Sequence, residues 1–166
     1  MNWQSVFFSA NGRMGPKDFW VAALILILGW FVSLALHLLA FFAWLVIAYA
    51  WICILSKRLH DAGRSGWLVL VPVAVGCAAV TISMVVGGVA LISAIVSGGS
   101  EHLAPASWGL LWGSLGVAAA LFGLAGLVKL IFILWVGLGA SDAGDNRYGS
   151  PPSPWLKPAA QPPAAA

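Results

Sequence analysis

The sequence predicts an all-α polytopic membrane protein, a four-transmembrane-helix bundle with both termini cytoplasmic and a short interfacial N-terminal segment. Three observations carry this. Of the 166 residues, 61% are hydrophobic and only 8% charged, against about 25% charged in an ordinary soluble domain, and mean hydropathy is +0.97. Three apolar blocks, 19–55, 67–97 and 107–138, each exceed the roughly 18 residues that mark a membrane span. Lys and Arg gather in alternate polar segments, as they do on the cytoplasmic side of inner-membrane proteins.

At the N-terminus, Trp3, Val6 and Phe7 are spaced i, i+3, i+4, a pattern that suits a short helix lying in the interface. The first block, Phe19 to Leu55, is broken only by Ser33 and His37. As one helix it would be ~55 Å long, almost twice the ~30 Å of hydrocarbon. It therefore divides into two helices, 18–36 and 39–57, with the turn at His37. The second block gives one helix, 66–92, with Pro72 near its start, where proline disturbs least. The pair Gly87-Gly88 leaves a re-entrant element over 87–106 as the alternative. The third block gives a helix over 108–138. Residues 1–150 read as a single membrane domain, and "SPPSPWLKPAAQPPAAA" at the end reads as a Pro/Ala-rich disordered tail over 151–166.

Orientation follows from the basic residues. Arg13 and Lys17 precede the first span, Lys57, Arg58 and Arg64 lie between the second and third, and Arg147 and Lys157 follow the fourth. The intervening loops, around His37 and at "SGGSEHLAPAS", hold Glu101 as their one charge. Trp20, Trp51, Trp67, Trp108, Trp112 and Trp135 fall near predicted span ends, where aromatic belts collect.

The stretch "SKRLHDAGRSGW", 56–67, is then a cytoplasmic hairpin. Gly63 suits the left-handed residue that ends a helix, and Ser65 suits the start of the next. Two other polar segments, "NGRMGPKDFW" (11–20) and "SDAGDNRYGSPP" (141–152), share this side, and the three hold ten of the chain's thirteen charged residues. Mixed charges pressed together at one membrane surface pair with each other. The candidate cluster is Arg13, Arg58, His60, Asp61, Arg64, Asp145, Asn146 and Arg147. Within it Arg13, Arg58, Asp61, Arg64, Asp145 and Arg147 are expected to interlock and tie the two ends of the chain together.

These three segments resemble, in order and topology, the domain-of-unknown-function family 805, the YhaH-like bacterial inner-membrane proteins. The family pattern is a "GR..R.eFW" lead into the first helix, an "RLHD.gRSGW" hairpin and a closing "NrYGpdP". Gly12-Arg13 and Phe19-Trp20 match the first, Arg58-Leu59-His60-Asp61 and Gly63-Arg64-Ser65-Gly66-Trp67 the second, and Asn146-Arg147-Tyr148-Gly149 with Pro152 the third. Pro16 stands where the family usually has a second Arg, and Pro151 where it usually has Asp. The resemblance implies a multi-pass protein of the bacterial inner (plasma) membrane and brings no activity with it.

Function is bounded mostly by what the sequence lacks. It has no CxxC or HExxH spacing, and its two cysteines, Cys53 and Cys77, fall at different depths in separate spans. No catalytic residue, metal, cofactor or nucleic-acid partner is expected. His60-Asp61 could serve as a base with its orienting carboxylate, but neighbours on a helix point about 100° apart and no nucleophile is spaced to join them. Lys129 is the one charge well inside a span and by that alone a candidate for function. Gly109, Gly113, Gly116, Ala120 and Gly123 make a smooth ridge of the kind that lets membrane helices approach closely. Homo-oligomerisation is left open. The expectation is a non-catalytic membrane module whose cap contacts a partner protein or anionic lipid headgroups. A small transporter or channel component comes second, and an enzyme of phosphate-bearing lipids third.

Overall fold

A computed structural model of the chain describes residues 3–35, 39–97 and 105–152. The expected turn at His37, the loop around Glu101 and the tail from 153 onward lie outside the described residues. The regular elements are all helical: α1 (Trp3–Phe8), α2 (Pro16–Leu34), α3 (Ala40–Asp61), a 3-10 turn at Gly66–Val69, α4 (Leu70–Ser97) and α5 (Pro105–Leu138). Four stretches, Pro16–Leu34, Ala40–Asp61, Gly66–Val96 and Trp108–Leu138, are long and apolar enough to cross a membrane. Among the described residues there is no strand, only an isolated bridge between Asn146 and Gly149.

The chain divides into two compact units, one made of Met1–Val69 with Ile133–Ala166, the other of Leu70–Phe132. In the first, α2 starts with Pro16 in its opening turn behind an extended Gly15. Proline is favoured there because the first N–H groups of a helix have no partner in any case. The Pro that departs from the family pattern thus serves the helix start. Helix α2 buries Phe19, Ala22, Ala23 and Leu26, the i, i+3, i+4, i+7 stripe of one helix face. Helix α3 buries Ala50, Cys53 and Ile54. The small residues Ala22, Ala23 and Ala50 let the two backbones approach closely, the main source of helix association where lipid competes for apolar contact. Away from this end both helices open outward. Phe31 is 58% exposed and Phe42 65%.

Helix α1 lies on α3 with Val6 and Phe7 buried, Phe8 stacked on Tyr49 at 6.5 Å, and Tyr49 Oη donating to Phe8 O at 3.4 Å. The last turn of α5 meets α2 so closely that a Cβ on Gly137 would lie 2.6 Å from Trp20 Cζ2 and 2.8 Å from Phe19 Cε1. Only glycine fits that contact.

In the second unit, α4 is continuous through Gly87 and Gly88 to Ser97, so the described part of 87–106 is helix. Pro72 is its third residue and removes no interior hydrogen bond. With 28 residues in α4 and 34 in α5, the helices run to ~42 and ~51 Å, beyond the ~30 Å hydrocarbon layer. Their surfaces carry large apolar side chains such as Val85, Ile92, Trp112 and Leu127, each at least half exposed. A Cβ added at Gly109, Gly113, Gly116 or Gly123 would meet no atom within 4 Å.

Candidate functional site

The buried stripe of α3 does not stop where its residues turn polar. Ala50, Cys53 and Ile54 are followed at the same helical spacing by Lys57, Arg58 and Asp61, and all six are buried. The helix runs four residues past the expected end at 57, so Arg58 and Asp61 share a face as i, i+3 neighbours. It then closes with Arg64 N donating to Leu59 O at 2.9 Å and Gly63 N to His60 O at 3.1 Å. This paired closure needs a left-handed residue after the last helical turn, and Gly63, at φ +66°, supplies it. Ser65 contributes its carbonyl rather than a side-chain cap, accepting from Leu68 N at 3.2 Å.

Asp61 is the centre of the cap and has no exposed surface. Its Oδ1 accepts from Arg13 Nε at 3.1 Å. Its Oδ2 accepts from Arg58 Nη1 at 2.6 Å and from the Ser141 hydroxyl. Arg13 also reaches four backbone oxygens: Nη1 donates to Gly144 O at 2.7 Å and Gly149 O at 3.2 Å, Nη2 to Asp142 O at 2.5 Å and Asp61 O at 3.4 Å. A guanidinium has five N–H groups, and every one on Arg13 has a partner inside the protein. Arg58 donates to Ser141 Oγ at 3.2 Å and to Gly139 O, while its Nε is buried without a partner.

One buried carboxylate faces two buried guanidiniums, which leaves an excess positive charge. The carbonyls around it answer that excess. Gly139 O lies just past the end of α5 and Asp61 O at the end of α3, and helix C-termini carry about half a negative charge each. Lys57, fully buried, follows the same logic one turn earlier. Its Nζ donates to Ser5 O and Val6 O near the end of α1, the latter at 3.1 Å, where carbonyls lack helical partners.

The segment after α5 completes the cap. Asp142 N donates to Asp61 O at 2.8 Å. Asn146 Nδ2 donates to His60 O and to Asp142 Oδ2, both at 3.0 Å. A tight turn, Gly149 N to Asn146 O at 2.9 Å with Tyr148 N to Asn146 Oδ1 at 2.9 Å, aims Gly149 O at Arg13. His60 stacks on the Tyr148 ring at 3.8 Å, and its Nδ1 lies 3.2 Å from Gly12 O.

Of the eight residues expected to cluster, the structure joins five in one network, with Arg13, Arg58 and Asp61 buried and His60 and Asn146 half-buried at its edge. Arg64 and Arg147 sit on its rim, over the rings of Trp135 and Tyr148. Arg147 adds one hydrogen bond, Nη2 to Gly63 O at 3.4 Å. Asp145 is exposed, and among the described residues it pairs with no arginine. Its neighbour Gly144 takes part instead, through its carbonyl. Lys129 is exposed on α5. Sequence reasoning missed the burial of Lys57 and the parts played by Ser141 and the backbone carbonyls. The 50-53-54-57-58-61 periodicity could have shown the first. No residue-type signal shows a backbone carbonyl.

A family model described as a protein of unknown function (DUF805) matches residues 7–150. The chain belongs to this family. Every polar contact of the cap apart from Lys57 to Ser5 and Val6 joins residues inside the body of the DUF805 match, and the hairpin and closing turn that set the family pattern are the two segments packed against Arg13. No curated protein and no solved structure matches the chain.

Proposed function

We propose that this DUF805 protein spans the bacterial inner membrane four times with both termini in the cytoplasm, as a non-catalytic module. Its polar cap is a closed internal clamp, and its rim contacts a partner protein or anionic lipid. One observation carries this reading: Arg13 spends all five of its N–H groups on Asp61 and four carbonyls. An arginine poised for a soluble substrate would keep part of its fork free. His60, the residue a catalytic reading would use, is held by the Tyr148 stack and by Gly12 O. The basic residues of the three polar segments favour the cytoplasmic side for all of them.

Single cysteines at Asn11 and Ser150, in a background lacking Cys53 and Cys77, test the topology in intact cells. Both positions are expected to resist a membrane-impermeant maleimide until the inner membrane is opened. Labelling of either one in sealed cells overturns the proposal.

A further inference from the structure

The arginines of the cap fall into two kinds. Arg13 and Arg58 are buried and committed to Asp61. Arg64 and Arg147 are exposed. We infer that Arg64 and Arg147 together bind the headgroup phosphate of an anionic phospholipid. This rests on the membrane topology proposed above.

Each rim guanidinium is held by an aromatic face. Arg64 lies 4.2 Å from the Trp135 ring centroid and Arg147 4.8 Å from that of Tyr148. Stacking of this kind fixes the plane of the guanidinium while leaving its N–H edges free. The guanidinium of Arg64 makes no hydrogen bond among the described residues, and that of Arg147 makes one, to Gly63 O. That bond anchors Arg147 on the residue next to Arg64, so the two forks serve one turn. Trp67, three residues after Arg64, is 79% exposed. An exposed indole beside free arginines suits the layer where phosphates meet the hydrocarbon. Arg matches a phosphate with paired N–H donors.

The acids nearby do not satisfy the rim. Asp142 Oδ2 is engaged by Asn146, and neither Asp142 nor Asp145 pairs with Arg64 or Arg147. The exposed charges of the three polar segments are Lys17, Arg64 and Arg147 against Asp142 and Asp145, so the surface carries a net positive charge that attracts an anionic headgroup.

The test uses the full-length protein purified from membranes in a non-ionic detergent. Native mass spectrometry counts bound phosphatidylglycerol, phosphatidylcholine and inorganic phosphate. Phosphatidylglycerol should be retained over phosphatidylcholine, and millimolar phosphate should not displace it. R64Q and R147Q should each weaken retention roughly threefold and the double variant roughly tenfold, while K17Q leaves it unchanged. Should a Gln variant fail to fold, R64K and R147K, which keep the charge and lose the fork, should show a smaller loss in the same direction. Equal retention of both lipids overturns the site, as does wild-type retention by the double variant. An equal loss in K17Q points to diffuse charge, and displacement by phosphate to a soluble ligand; either overturns it. Failure here leaves the maleimide result standing, and failure of that result shows independently.

Discussion

Residues 56–61 with 139–149 and residues 70–132 are held in order by opposite means. In the first region four of the buried residues are polar, Ser56, Lys57, Arg58 and Asp61, beside the apolar Leu59, and position is set atom by atom through hydrogen bonds from Arg13, Arg58 and Asn146. In the second, buried residues are few and small, Ala79, Ala90 and Ala94 among them, while Leu, Ile and Val face outward. In the membrane setting proposed above, lipid solvates such side chains as well as protein does, so apolar area there gives little force for folding. The comparison teaches where a chain this apolar keeps its specificity. The apolar helices need only hydropathy and length. The polar end needs particular donors opposite particular acceptors, because a buried charge left unpaired costs several kcal/mol.

The largest expected effect therefore falls on the smallest chemical change. Replacing Asp61 with Asn keeps the shape and removes the one carboxylate between Arg13 and Arg58. Breaking a buried ion pair from one side costs about 3–5 kcal/mol. The variant is expected to lose that stability in detergent, read by thermal or denaturant unfolding. A melting curve matching the wild type would show that the cap is not what holds the first region.

Gly63→Ala comes next. The residue has φ +66°, and a Cβ there would lie 2.5 Å from Asp142 Oδ2. The left-handed backbone costs a side chain about 1 kcal/mol, and displacing the Asp142 carboxylate, the free end of a flexible side chain, adds to it. A total of roughly 1–2 kcal/mol is expected, with the added part absent when Asp142 is already Ala. An equal cost in both backgrounds would mean that Asp142 does not crowd the turn.

The same contrast explains what could be read from the sequence. The four long helices were legible because hydropathy is a local property of each block. Gly63 at the end of α3 was legible because the left-handed terminus has a residue preference of its own. The cap was legible as a set of segments, but its pairing was not. Arg13 meets Asp61, 48 residues away, and Gly144, 131 residues away, and four of its five hydrogen bonds go to backbone oxygens that any residue carries. Asp145 and Gly144 show the limit plainly. Charge pointed to the aspartate, while the fold uses the carbonyl beside it.

The smallest expected effect is at Lys129, where the two regions can be compared through one residue type. Lys57 and Lys129 are both lysines on apolar helices. Lys57 is fully buried, with its ammonium on two carbonyls of α1. Lys129 is exposed on α5 and makes no ion pair or hydrogen bond among the described residues. Its stem is long enough to carry the charge toward the interface, so its environment in the folded protein resembles that in an unfolded helix still in the micelle. Replacement by Leu removes no contact and should change unfolding stability by less than about 0.5 kcal/mol, the range of ordinary surface substitutions. A loss above about 1 kcal/mol in the same detergent assay would mean that Lys129 is held by a specific partner. The second region would then depend on a placed polar contact, as the first does, and the distinction between them would fail at that position.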